Sequence, residues 1–144
     1  MDFGLMRDHL AFQVHLTWRA ARKALLAEVD KGEKPVSRGS YSIPILIGLN
    51  PGITPMQLAS ALHLDASKVA LLLRDLDKNG LIRRTRSEKD RRSVQLYLTR
   101  EGEKSAKEAS AATSVLESPF EGILSKEEKD TLVALLIKLR DGLS

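Results

Sequence analysis

The chain has 144 residues, 42% of them apolar and 29% charged, enough for one ordinary domain with a real core. The absence of cysteine excludes disulfides, thiol redox sensing and thiolate metal sites. No apolar run nears the roughly 18 residues of a membrane span, and Met1-Asp2-Phe3-Gly4 lacks the basic start of a signal peptide, so a cytoplasmic location is expected.

In chain order, residues 9–29 read as a helix, because Leu10, Val14, Trp18, Ala21 and Leu25 recur at spacings of three and four. Asp8 is its expected cap. Residues 30–39 are polar, contain Pro35 and Gly39, and read as a loop. A short apolar helix is expected over 42–49, where Pro44 is tolerable if Ser42 caps it. Asn50-Pro51-Gly52 is a turn. Thr54-Pro55-Met56-Gln57 is a capping box with proline at the first helical position, opening a helix to about Leu62. His63-Leu64-Asp65 makes a tight connection. Asp65 is the expected cap of a second helix over 66–78, which Asn79-Gly80 ends as a left-handed C-terminal cap requires.

Residues 81–85 and 93–98 suit strands, the second with Val94, Leu96 and Leu98 on one face. Between them lies the charged loop Arg86-Ser87-Glu88-Lys89-Asp90-Arg91-Arg92. Thr99 is expected to cap a helix through about Glu117, and Ser118-Pro119 to break it. Ser125-Lys126-Glu127-Glu128 is a second capping box, opening a helix to about Arg140. Its apolar residues, Leu132, Val133, Leu135, Leu136, Ile137 and Leu139, exceed what a terminal helix needs to cover one domain.

A net charge of +4 is mild, but it is concentrated. Residues 66–100 hold ten Lys or Arg against four acids, a local balance of +6, so the remainder carries −2. A basic stripe in one segment is the footprint of a DNA contact surface, and here it coincides with two short capped helices followed by strand, basic loop and strand. The fold class expected is therefore mainly α (α+β): a winged helix-turn-helix lobe over 40–102, with flanking N- and C-terminal helices in 1–39 and 103–144. In the helix over 66–78, Val69, Leu72, Leu73 and Leu76 form the packing stripe. Ser67, Lys68, Ala70, Leu71 and Arg74 lie on or beside the other side. Ser67 and Lys68 are placed to meet base edges or phosphates, and Arg74 and Lys78 to meet phosphates. Arg91 or Arg92 is expected in the minor groove, oriented by Asp90. Thr54, Arg84, Arg86 and Lys89 complete the expected DNA-contacting set.

Leu58-Ala59, Leu76-Asp77-Lys78-Asn79-Gly80-Leu81-Ile82-Arg83, Asp90-Arg91-Arg92 and Leu98-Thr99-Arg100-Glu101-Gly102 together resemble the signature of the MarR (multiple antibiotic resistance regulator) family. The resemblance is specific over 50–102 and covers only the helical layout elsewhere. It implies a homodimer built from the first and last helices. It also implies a pseudo-palindromic double-stranded DNA operator, usually repressed and often released by a small aromatic or other organic anion. Two departures matter. Ala70 and Leu71 stand where many relatives carry Thr and Arg, which limits those positions to an apolar touch on a thymine methyl. The lack of cysteine excludes the peroxide sensing of some relatives.

On the first helix, His15, Arg19 and Arg22 share a face, flanked by Phe12 and Trp18. They form a candidate pocket for an organic acid, while Trp18 and Phe12 also fit core or dimer contacts with the arginines solvated. His9, His15 and His63 are a poor metal set, so no metal or other cofactor is expected. No cysteine nucleophile, Gly-rich phosphate loop or paired-carboxylate signature supports catalysis, and the serines are mostly caps or solvent-facing. The alternatives to a ligand-responsive regulator are a ligand-independent architectural or constitutive DNA-binding protein, and an enzyme or interaction module that borrows the fold.

Overall fold

The computed structural model describes residues 2–31, 42–86 and 93–143. A 3₁₀ turn at Gly4–Asp8 leads into α1 (Leu10–Lys31). Then come α2 (Ser42–Leu49), α3 (Pro55–Ala61), α4 (Ala66–Lys78), β1 (Ile82–Arg86) and β2 (Val94–Leu98). The chain continues through α5 (Arg100–Glu117), a second 3₁₀ turn at Ser118–Phe120 and α6 (Lys126–Gly142). The fold is mainly α with a small β-wing, flanked by helices, as expected. Among the described residues no helix is long and apolar enough to cross a membrane. The chain divides into two compact units, one of Met1–Glu28 with Val115–Ser144, the other of Val29–Ser114.

The second unit is a winged helix-turn-helix lobe. Its core joins Ile43 and Ile47 of α2, Leu58 of α3, Val69, Leu73 and Leu76 of α4, Ile82 of β1 and Leu96 of β2. All are apolar, so the lobe holds together by burial with no desolvated charge to offset. The helices are set by local signals. Thr54 Oγ1 accepts from Gln57 N–H at 3.2 Å while Gln57 Oε1 accepts from Thr54 N–H at 2.9 Å, the two bonds of the expected capping box. His63 takes φ +49 in the turn between α3 and α4. Asp65 occupies the cap position of α4, but its side chain makes no capping hydrogen bond.

The end of α4 is a Schellman motif: Leu81 N–H donates to Leu76 C=O and Gly80 N–H to Asp77 C=O, both at 2.9 Å, with Gly80 at φ +65. Because Leu81 is spent on this cap, β1 begins at Ile82, one residue later than the spacing suggests. β1 pairs antiparallel with β2, from Ile82 opposite Leu98 to Arg86 opposite Val94. Ile53 bridges the other edge of β2: Gly52 N–H donates to Leu96 C=O and Leu96 N–H to Ile53 C=O, each at 2.9 Å. Thr99 caps α5, its Oγ1 accepting from Gly102 N–H at 3.0 Å and donating to Gly80 C=O at 2.7 Å.

Two expected caps are corrected. Asp8 closes the first 3₁₀ turn, and His9 precedes α1, its carbonyl accepting Gln13 N–H at 3.0 Å. Ser42 is the first residue of α2, not its cap. α1 runs on to Lys31, into the expected loop, whose remainder lies outside the described residues.

In the first unit, Ser125 caps α6 through the expected box with Glu128. Lys129 pairs with Glu117 at 2.5 Å, and this hydrogen bond holds the lysine pKa above its ordinary value. None of the unit's side chains whose exposure is described is buried. Leu10, Trp18, Leu132, Val133, Leu135, Leu136 and Ile137 are all exposed, Leu135 at 57%.

Candidate nucleic-acid interface

A straight helix has two opposed strips when residues repeat at three and four. In α4 the inward strip is Val69, Leu73 and Leu76, all buried, with Leu72 half-buried beside it. The outward strip is Ser67, Ala70, Leu71, Arg74 and Lys78, all exposed, with Lys68 exposed at its margin. Lys68, Arg74, Lys78 and Arg86 are in no ion pair among the described residues. Their charge therefore stands open toward an external polyanion.

Arg84 behaves differently. It lies on the strand face of Ile82 and Arg86, opposite Leu96, and reaches back to α4, where its Nε donates to Asp77 Oδ2 at 2.8 Å. The pair is roughly two-fifths exposed. An exposed ion pair contributes about 0–1 kcal/mol, so it adds little to stability but occupies the guanidinium. On the other strand face, the Arg83 guanidinium stacks 4.3 Å from the centroid of the Tyr97 ring, its register partner. Neither contact follows from the residues alone. Counting the hairpin register would have found Arg83 opposite Tyr97.

Thr54 is half-buried, with its hydroxyl engaged in the α3 cap. Arg86 ends β1 at the root of the wing. Lys89, Asp90, Arg91 and Arg92 lie outside the described residues. Within the lobe the structure thus brings Ser67, Lys68, Arg74 and Lys78 onto one helix face, and ties Arg84 to that helix rather than leaving it open.

The residues expected to bind an organic acid lie on α1, in the other unit. Arg22 Cζ is 5.9 Å from the Trp18 ring centroid. Phe12 meets Phe3 edge-on at 5.4 Å. His15 and Arg19 are exposed. Among the described residues no cluster of His, Asp and Glu is arranged to hold a metal ion.

A family model described as the MarR family matches residues 36–94. The HTH-type transcriptional regulator BilQ of Clostridium symbiosum is 33% identical over 115 residues, which cover 80% of this chain and 80% of that protein. Several solved structures share the fold. The transcriptional repressor CouR, bound to a 23-mer DNA duplex, aligns with a TM-score of 0.80 at 23% identity, over 97% of this chain and 98% of its own. The transcriptional regulator PcaV of Streptomyces coelicolor, in complex with its natural ligand, aligns at 0.80 with 20% identity over 100% of both chains.

Proposed function

The chain belongs to the MarR family of winged helix-turn-helix transcription regulators, and on that premise we propose that it acts as a homodimeric repressor of a pseudo-palindromic operator, released by a small organic anion. As a family member it is a DNA-binding transcription regulator and not an enzyme. The observation that carries the reading is the outward strip of α4, where Ser67, Lys68, Arg74 and Lys78 stand exposed on a helix whose other side is buried. In this reading Ser67 and Lys68 enter the major groove, Arg74 and Lys78 meet phosphates, and Arg91 or Arg92 enters the minor groove with Asp90 beside it. Thr54, Arg86 and Lys89 contact the backbone around them.

The first unit supports the dimer: no side chain of described exposure in it is buried, and α6 exposes Leu132, Val133, Leu135, Leu136 and Ile137. Such a contiguous apolar face marks an interface. Phe12, His15, Trp18, Arg19 and Arg22 on α1 support the effector, aromatic side chains beside guanidiniums whose planar fork suits a carboxylate. That CouR was solved on a DNA duplex and PcaV with a ligand is in keeping with both ideas.

The test is selection from a randomised duplex pool, followed by footprinting and a salt titration of the enriched sequence. Two half-sites whose centres lie about 10 bp apart, with affinity falling steeply as salt rises, are expected. A single unpaired half-site, or affinity flat in salt, overturns the dimeric operator model.

A further inference from the structure

We propose that Leu71 is a specificity-determining residue that reads the 5-methyl group of a thymine in each operator half-site. The inference rests on α4 being the helix that enters the major groove, and goes on from there to the base it selects. Leu71 is four residues from Ser67, three from Arg74 and seven from Lys78, so these four side chains follow one another along a single strip of the helix. Apart from the small Ala70, the outward strip is polar or cationic except at Leu71, which is 55% exposed. Isolated surface leucines are ordinary. This one stands instead amid groups that would contact DNA, about 7.5 Å along the helix axis from Ala66, within the half that enters the groove. Ala70 beside it is exposed and carries only a methyl group, which leaves room for close approach.

The chemistry of the groove restricts what such a residue can meet. Base edges there present hydrogen-bond donors and acceptors, and the thymine methyl is the apolar group among them. A leucine set against any other edge would strip water from polar atoms and return no hydrogen bond. Set against thymine, it buries a methyl group on both sides. Selectivity at this position is therefore for a methyl group, with hydrogen bonds left to Ser67 and Lys68.

The test uses the duplex that wild-type protein enriches from a randomised pool. Each thymidine is replaced in turn by deoxyuridine, which removes the methyl and nothing else, and affinity is read by fluorescence anisotropy for wild type and Leu71→Ala. Alanine favours the helix and position 71 is exposed, so the variant keeps its fold, which its thermal melting checks. One thymidine per half-site should lose about fourfold in wild-type affinity for each methyl removed, and Leu71→Ala should bind the thymidine and deoxyuridine duplexes equally at that position. A deoxyuridine scan that is flat in wild type, or a loss that persists undiminished in Leu71→Ala, overturns the proposal and leaves the DNA-binding reading standing. A pool from which nothing is enriched overturns that reading and the proposal with it.

Discussion

Gly102 lies so close to Leu81 that a Cβ at position 102 would stand 1.9 Å from the Leu81 carbonyl oxygen and 2.9 Å from its carbon. The same carbonyl accepts Thr99 N–H at 3.0 Å, and Thr99 Oγ1 links Gly80 C=O to Gly102 N–H. The C-terminal cap of α4 and the N-terminal cap of α5 are thus one hydrogen-bonded joint. Its members, Gly80, Leu81, Thr99 and Gly102, come from two of the segments that carry the family resemblance. The glycine at position 102 thus has a steric cause that does not involve DNA.

Gly102→Ala should destabilise the lobe by at least about 2 kcal/mol, toward the upper part of the range for overpacking, because the obstructing atoms are backbone and cannot rotate away. Gly142→Ala is the control: nothing lies within 4 Å of its Cβ position, so stability should change by less than about 1 kcal/mol. Urea unfolding of both variants decides the matter, and equal midpoints would show that the joint yields.

Arg84→Ala should cost at most about 1 kcal/mol of stability, since Arg84 and Asp77 are both partly exposed. It should also change the salt dependence of DNA binding less than Arg74→Ala or Lys78→Ala, whose side chains are unpaired among the described residues. Removing one cation that neutralises a phosphate should lower the logarithmic salt slope by about 1. A slope for Arg84→Ala reduced as far as that for Arg74→Ala would assign Arg84 to the phosphate backbone after all.

The elements whose signals are local were legible in the residues. Thr54 with Gln57, Ser125 with Glu128, and Asn79-Gly80 each place a helix end through bonds that span three to five residues. The outward strip of α4 followed from its period alone. Contacts that depend on register or on distant segments did not: Ile53 against Leu96, Arg83 over Tyr97 and Arg84 with Asp77 all require knowing how β1, β2 and α4 meet. Asp8 misled because a carboxylate one position too early fits the same capping pattern, while the preceding residues form a turn of their own.

Arg91→Ala or Arg92→Ala should weaken operator binding by about 1–3 kcal/mol. Thermal melting should stay near that of wild type, because the lobe's core is drawn from α2, α3, α4 and the two strands. Anisotropy titrations read the affinity. If both variants bind as tightly as wild type, the wing makes no groove contact of consequence.

Deleting residues 125–144 should leave protein that is monomeric or insoluble and no longer binds the palindrome. The deletion removes α6 with exposed Leu132, Val133, Leu135, Leu136 and Ile137, the surface assigned to the subunit interface. Sedimentation velocity distinguishes the outcomes. A truncated chain that stays dimeric and competent for DNA would move the interface elsewhere.

The effector assignment makes Arg19 the anchor and Trp18 the reporter. Trp18 is 60% exposed, with Arg22 already 5.9 Å from its ring centroid. A carboxylate drawn to these guanidiniums would therefore alter the surroundings of the only tryptophan in the chain, so its fluorescence should be quenched by aromatic carboxylates. Sites for small organic ligands pair apolar or aromatic walls with a few polar groups that fix orientation, and Phe12 and His15 would supply more of both. Binding can lower operator affinity only if the ligand favours a state that holds DNA less well, and by no more than its own preference for that state. Arg19→Ala should therefore abolish the response while leaving ligand-free DNA binding intact, because Arg19 is exposed on α1 and outside the α4 strip. The measurement is an operator titration of the variant beside wild type, with and without an aromatic acid that releases wild type. A variant that is still fully released removes Arg19 from the site, and one that loses DNA affinity without ligand would place Arg19 in dimer assembly instead.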